Sequence, residues 1–324
     1  MPLPAPIVFG SAACIPPLAR SAVTIGNFDG VHIGHAAIVS RLVAAAAALG
    51  VPAVALTFDP HPASLVRPGL APAPLTTPAR RAELLLALGL DAVLVQPTDT
   101  AFVALSAEEF YAHILRGQLG GVAFIEGEDF RFGAGRAGDV EVLGRLAAAE
   151  GVMVEVVPAV SVGGATVSSS RLRGLLMAGD VAAAATLATA PYRLSGTVEP
   201  GARRGAGLGF PTANLGRMAT LVPAAGVYAA RARLAGDNGS AAWFPAAVNI
   251  GTSPTFETTK PTVEAHLVGF AGDCYGRVLD VDFLARLRDT RRYSAVEDLK
   301  RQLADDVAQA VAIAAGRPAQ IQET

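Results

Sequence analysis

The sequence predicts two domains of different class. A doubly wound α/β domain with a parallel sheet spans residues 1–187, and a small antiparallel β-barrel with a terminal helix spans residues 188–324. Three observations predict this. The chain has 324 residues, about twice a typical domain. Up to about residue 180, runs rich in Val and Ile alternate with helix-period segments, the rhythm of a parallel sheet covered on both faces. After about residue 190, strand-like runs follow one another with turns but no helix between them, which implies antiparallel pairing and a small closed barrel.

Taken in order, AVTIG (22–26) reads as the first strand of this alternation, followed by a helix from about Gly34 to Leu49 and a strand VPAVALTF (51–58). Thr77 and Pro78 stand at N-cap and N1 of a helix ending near Gly89, with the strand DAVLV after it. Ser106 and Glu109 have capping-box spacing ahead of GVAFIE (121–126), and Asp139 can cap a helix reaching Glu150 before VMVEVV (152–157). In the second half, YRLSGTVEP, GVYAARARL, WFPAAVNIG, PTVEAHLVGF and RVLDVDFLARL alternate as strands. Ser294 with Glu297 forms a further capping-box pattern for the last helix, whose apolar stripe is Val296, Leu299, Leu303, Val307 and Val311.

Composition removes several function classes. Lys plus Arg number 26 and Asp plus Glu 28, a balance that argues against a nucleic-acid coat or a basic membrane-surface protein. No apolar stretch is long and unbroken enough for a membrane span, since Gly50 and Pro52 split the longest uncharged run. Cys14 and Cys274 are the only cysteines, too few for a disulfide framework, and a cytoplasmic location is expected.

The segment T-I-G-N-F-D-G-V-H-I-G-H closes the first strand and opens the first helix. Gly26 and Gly30 permit sharp turns and close backbone approach at the carboxyl end of a parallel strand, where open α/β sheets place ligands. His32 and His35, with Gly34 between them, stand near free helix N–H groups and suit a phosphate whose charge grows during transfer. Two histidines could instead be ordinary loop residues, and with His61 a zinc site stays open. S-S-S-R-L-R (168–173) offers hydroxyls and arginines at a later helix start, either a phosphate clamp or a plain cap.

In the second half, R-R-G-A-G-L-G-F-P-T-A-N-L (203–215) carries Gly205, Gly207 and Gly209 directly before Pro211, Thr212 and Asn214. It is not a Walker loop, because no G-K-[ST] follows. Thr212 and Asn214 point the same way on an extended segment, and such oxygens can hold Mg²⁺ bridged to nucleotide phosphates. A turn capped by Asn214 is the bland alternative. In V-E-A-H-L, Glu264 and His266 share one face of a strand. Facing into a barrel, Glu264 would be desolvated into a general base; on the solvent face it would only decorate the strand.

G-N-F-D-G-V-H-I-G-H with S-S-S-R-L-R resembles the nucleotidylyltransferase superfamily. G-L-G-F-P-T-A-N-L, G-V-Y-A, N-I-G-T-S-P-T-F, V-E-A-H-L, D-C-Y-G-R and the Y-S-A-V-E-D-L-K-R-Q-L-A-D-D helix occur in the order found in bacterial riboflavin kinases. Together, from about residue 8 to 315, the chain resembles the bifunctional riboflavin kinase/FAD synthetase family. The resemblance implies that the C-terminal half phosphorylates riboflavin to FMN with ATP, and that the N-terminal half joins FMN to AMP from a second ATP, releasing pyrophosphate. It implies Glu264 as the base, with Gly205, Gly207, Gly209, Pro211, Thr212 and Asn214 at the kinase ATP and Thr212 and Asn214 at Mg²⁺. For adenylyl transfer it implies His32 and His35 as catalytic groups, with Gly26, Asn27, Phe28, Asp29, Gly34, Ser169, Ser170 and Arg171 around the phosphates.

Several positions depart from the family pattern. Ala206 stands where a basic residue is frequent, Gly269 where an acidic one is, and Cys274 replaces an aliphatic residue. Ser170 replaces a Thr, and Glu126 occupies a place usually apolar, putting an extra charge near the nucleotide site. Two rival readings remain at this stage: a nucleotidylyltransferase for another substrate with an accessory barrel, and a flavin-binding module without turnover.

Overall fold

The structure is a computed structural model that describes residues 7–9, 18–66, 69, 71–201, 204–235, 242–252 and 261–316. Residues 253–260, Cys14 and the side chain of Ala206 lie outside the description. By packing, the chain divides into two compact units between Ser169 and Ser170.

The first unit is a six-stranded parallel sheet of β1 (Ile7–Phe9), β2 (Ser21–Ile25), β3 (Ala53–Asp59), β4 (Ala92–Pro97), β5 (Gly121–Gly127) and β6 (Met153–Val157), in the order β1-β4-β3-β2-β5-β6. Neighbouring residues of β2 serve opposite faces, as strand geometry requires. Ala22 joins Val39, Leu42 and Ala46 of the helix Ile33–Leu49, with Ala82 and Leu85 of the helix Pro78–Ala87. Val23 faces the other way, into Phe110, Leu115, Phe124 and Leu143. Both faces are covered, as the apolar runs imply. The caps at Thr77, Ser106 and Asp139 form as their spacing predicts. After Glu109 the helix continues with π-helical bonding over Phe110–Gln118.

The chain runs outward from β2 through β3 to β4, then returns to place β5 on the other side of β2. The crevice between the carboxyl ends of β2 and β5 is therefore the topological switch point, where open α/β sheets bind ligands.

The first unit also carries a two-stranded hairpin, β7 (Ser161–Val162) and β8 (Ala165–Thr166), outside its main sheet. In the second unit, β9 (Arg193–Glu199), β10 (Ala213–Gly216), β11 (Gly226–Leu234), β12 (Phe244–Thr252), β13 (Pro261–Leu267) and β14 (Val278–Arg288) close a barrel in the order β10-β13-β12-β11-β14-β9. Its interior holds Leu194, Val198, Tyr228, Val248, Ala265, Val281 and Phe283. β10 has four residues, too few for an alternation to stand out from the glycine loop that precedes it in the sequence. The glycine loop before it also contains one helical turn, Arg204–Gly207.

The last helix, Val296–Ala314, packs on β11, β12 and β14, corrects one expectation and shortens another. Its N-cap is Ala295, and no side chain caps it. The Ser294–Glu297 box does not form, because the helix starts one residue too late for Ser294 to reach it. The buried face contains Asp306 and Ala310, whereas Val296 is 57% exposed and Val311 37%. Asp306 is drawn inward by Arg288, whose Nη2 and Nε lie 2.6 and 2.9 Å from its oxygens. Leu299, Leu303 and Val307 of the stripe are half-buried on that same face, so only its two ends are exposed, and the Arg288–Asp306 pair adds to the packed face.

Candidate active sites

The first site grows from the end of β2. Gly26 donates to the Leu56 carbonyl at 3.0 Å and has no room for a side chain, since a Cβ there would meet the Phe28 ring at 3.0 Å. Phe28 and Val31 both take positive φ, 48° and 35°, and both are buried. Such strain in non-glycine residues persists only where surrounding packing over-determines it. Asp29 supplies much of that packing. Its buried carboxylate accepts from Leu75 N at 2.9 Å and from Thr76 N and Oγ1 at 3.0 Å each. Asp29 thus holds the loop in shape, and its charge is turned towards protein donors. Ser169 donates its hydroxyl to the Asp29 carbonyl at 2.7 Å. Ser170 and Arg171 follow it in the first turn of the helix Ser169–Ala178.

His32 is the N-cap of the helix Ile33–Leu49. The two imidazoles stack with centroids 3.6 Å apart and an angle of 16°, and the Phe28 ring meets His35 edge-on at 5.2 Å. Each Nδ1 accepts from the other residue's backbone N–H: His32 N to His35 Nδ1 at 3.2 Å, and His35 N to His32 Nδ1 at 3.3 Å. A nitrogen that accepts carries no proton, so both rings are neutral with the proton on Nε2. Burial supports this, lowering His32 from 6.5 to about 4 and His35 well below 6.5. The pair thus presents two fixed Nε2–H donors at a helix N-terminus. Gly34 makes the arrangement possible, because a Cβ there would stand 3.0 Å from His32 Nδ1.

Asn27 Oδ1 is buried without a hydrogen-bond partner, and the Asn27 carbonyl accepts from Thr57 Oγ1 at 3.2 Å. Across the crevice, Glu126 is 1% exposed and accepts from Ile25 N at 2.8 Å. Burial raises its pKa well above 4.5. Burial therefore disfavours the extra charge expected at Glu126, and the residue ties β5 to β2 through the Ile25 N–H.

The second site is set by strand register. Asn214 on β10 lies opposite Glu264 on β13, and Glu264 lies opposite Asn249 on β12. All three alternate with core residues and are half-buried on the outer face of the barrel wall. Glu264 is therefore not inside the core, and any desolvation needed for base catalysis must come from bound substrate. Sequence reading missed Asn249, although its alternation within V-N-I was the available signal. Asn214 lies against Gly201, where a Cβ would come within 2.1 Å of its amide.

The glycine loop is compact. Leu208 N and Phe210 N both donate to the Gly205 carbonyl, at 3.0 and 2.9 Å. A Cβ on Gly205 would lie 2.3 Å from the Phe210 carbonyl, while Gly209 uses φ +89°. Gly207 is exposed and has open space around its Cβ direction. His266 Nδ1 donates to the Pro211 carbonyl at 2.8 Å, which ties the stretch containing Thr212 to β13. Thr212, Asn214 and Glu264 form a set of hard oxygen donors, the chemistry suited to Mg²⁺. Among the departures, Gly269 occupies a turn at φ +81°, which explains glycine there, and Cys274 is a free thiol.

Comparison with known proteins matches both halves. The family described as FAD synthetase matches residues 15–171, and the one described as riboflavin kinase matches residues 188–314. A bifunctional riboflavin kinase/FMN adenylyltransferase of Pseudomonas fluorescens is 40% identical over 293 residues, covering 90% of this chain and 92% of its own. The enzymes of the same description from Escherichia coli K12 and Bacillus subtilis are 35% and 30% identical, covering 88% and 90% of this chain and 90% and 92% of theirs. A crystal structure described as a macrolide-efflux protein from Streptococcus pneumoniae superposes with TM-score 0.83 at 27% identity, over 95% of this chain and 99% of its own. Among the described residues, no helix is long and apolar enough to cross a membrane. With both family models in order and relatives alike along nearly their whole length, the chain belongs to the bifunctional riboflavin kinase/FMN adenylyltransferase family, with an FAD synthetase domain ahead of a riboflavin kinase domain.

Proposed function

We propose the following division of labour for the family's two reactions, phosphorylation of riboflavin by ATP and adenylylation of the resulting FMN by a second ATP. The functional boundary falls at 187/188, and the enzyme works in the cytoplasm. The observation that carries the reading is that each half has its own chemically distinct constellation. One is a pair of fixed Nε2–H donors at a helix head; the other is a carboxylate flanked by two amides on a barrel wall.

In the first half, FMN's phosphate is itself the nucleophile towards the α-phosphorus of ATP, and pyrophosphate leaves. His32 and His35 donate from Nε2 to phosphate oxygens as negative charge builds, and the neutral tautomer is retained throughout. The helix N-terminus adds its free N–H groups. Ser169, Ser170 and Arg171 belong to the same phosphate clamp. Gly26, Asn27, Phe28 and Gly34 let the backbone approach, and Asp29 keeps the loop in register.

In the second half, Glu264 takes the proton from riboflavin's terminal ribityl hydroxyl as that oxygen attacks the γ-phosphorus of ATP. Thr212 and Asn214 would hold Mg²⁺, which when bound neutralises phosphate charge. Gly205, Gly207, Gly209 and Pro211 shape the loop over the phosphates. Positioning and charge neutralisation dominate such transfers, so the register of β10, β13 and β12 matters as much as the base.

The test is a chromatographic time course with purified protein, riboflavin, ATP and Mg²⁺. FMN appearing first and FAD second supports the reading; riboflavin left untouched while supplied FMN becomes FAD overturns the kinase assignment. Omitting Mg²⁺ from the same assay is expected to stop FMN formation.

A further inference from the structure

Arg81 projects inward from the helix Pro78–Ala87 and is 5% exposed. Its Nη1 donates to Thr57 Oγ1 and to the Phe58 carbonyl, each at 3.0 Å. Its Nε is buried and makes no hydrogen bond. Elsewhere the chain neutralises inward guanidiniums: Arg193 meets Asp282 at 2.6 Å, and Arg288 meets Asp306 at 2.6 Å. Among the described residues, no carboxylate stands within ion-pair distance of Arg81, and Asp29 and Asp59 act on it only through their fields. Burial lowers the Arg81 pKa, and the charges of Asp29 and Asp59 offset that only in part, so an acceptor on the unpaired Nε would reduce the remaining cost.

The location says which anion. Thr57 and Phe58 end β3, beside β2 in the sheet. The Thr57 hydroxyl that accepts from Arg81 donates in turn to the Asn27 carbonyl at 3.2 Å. This chain of bonds joins the guanidinium to the Gly26–His35 loop, and the Asn27 side-chain Oδ1 is a second buried polar atom there without a partner. The positive field of Arg81 also disfavours protonation of His35, consistent with one cation already serving this crevice.

We propose that Arg81 is a binding residue of the adenylyl-transfer site, taking a substrate phosphate group on the unpaired Nε edge of its guanidinium. The inference rests on the reading of the first site given above. The phosphates of ATP and of FMN share this chemistry, and a planar guanidinium suits either better than an ammonium does.

The experiment uses the full chain with Arg81→Lys and Arg81→Met. FMN formation by the barrel half is the internal control for intact protein, and thermal protection by inorganic pyrophosphate is the probe. Both variants are expected to keep FMN formation while the KM of one adenylylation substrate rises ~10-fold or more. A raised KM for ATP together with lost pyrophosphate protection identifies ATP's phosphates. A raised KM for FMN with protection retained identifies the FMN phosphate. Unchanged KM values for both substrates and unchanged protection in Arg81→Lys overturn the proposal, as does a lower melting temperature with no change in either binding readout. Should Arg81→Met fail to fold, Arg81→Lys alone decides, because it keeps the charge and removes the Nε donor. His35→Ala run in parallel separates the two levels. If it leaves FAD formation intact, the site reading fails; if it abolishes FAD formation while the Arg81 variants bind normally, only the Arg81 proposal fails.

Discussion

In the first unit the candidate groups are fixed by a short loop that folds onto itself. Two histidines three residues apart cap each other, Phe28 fills the space that Gly26 leaves, and a buried carboxylate pins the turn. In the barrel, the groups that meet come from residues 201, 214, 249 and 264, and only strand register brings them together. The first kind of site is pre-organised by burial, at the cost of positive φ at Phe28 and Val31. The second is half-exposed and completed by neighbouring strands. A locally wired site resists remote change but tolerates little within its own ten residues. A register-built site should behave in the opposite way.

The largest test of this contrast is Glu264→Gln, which is expected to lower FMN formation by ~10²–10⁴ while adenylylation of supplied FMN continues. FMN formation near the wild-type rate would show that Glu264 is not the base. His35→Ala comes next. Loss of one fixed donor is expected to lower FAD formation by ~10²–10³ with FMN formation intact, read in the same chromatographic assay. Gly34→Ala sharpens the comparison, since alanine improves helix propensity yet its Cβ would press on His32 Nδ1 at 3.0 Å. FAD formation should fall ~10-fold from the displaced ring, with no loss in thermal stability. If activity is unchanged, the mutual capping is not what positions the pair.

The smallest effect concerns Glu126. Its folded pKa is raised above 4.5, so the folded state binds more protons than the unfolded chain, and stability is lost as pH rises from 4.5 towards the raised value. His32 works in the opposite sense: lowered to about 4, it contributes stability that is present above 6.5 and lost as pH falls towards 4. Glu126→Gln removes only the first contribution. The variant's stability relative to wild type should grow with pH, by at most about 1.4 kcal/mol per pH unit, in urea titrations. A flat difference would mean that Glu126 is already ionised in the native state.

Much of this was legible along the chain. The helix caps at Thr77, Ser106 and Asp139 are local hydrogen bonds between residues a few positions apart, and they form as their spacing predicts. The alternation in V-E-A-H-L places Glu264 and His266 together on one face of β13, and the H-x-G-H spacing brings the two histidines together. The terminal helix shows the limit. The middle of its stripe, Leu299, Leu303 and Val307, is half-buried as expected, but the stripe gives no sign that Asp306 on the same face is buried and paired with Arg288. Glu126 shows it again, because burial between β2 and β5 pushes its pKa up, and nothing in its neighbours along the chain announces that burial.

The sequence by itself determined the two-class architecture, the order of the elements and the motifs of both sites, because periodicity, capping and turn chemistry act over a few residues. Only the tertiary structure decided that Glu264 lies on the barrel's outer face beside Asn214 and Asn249, that both histidines are neutral, and that Arg81 is buried with its Nε unpaired. Burial, register and protonation depend on which distant segments surround a group. No local spacing carries that information.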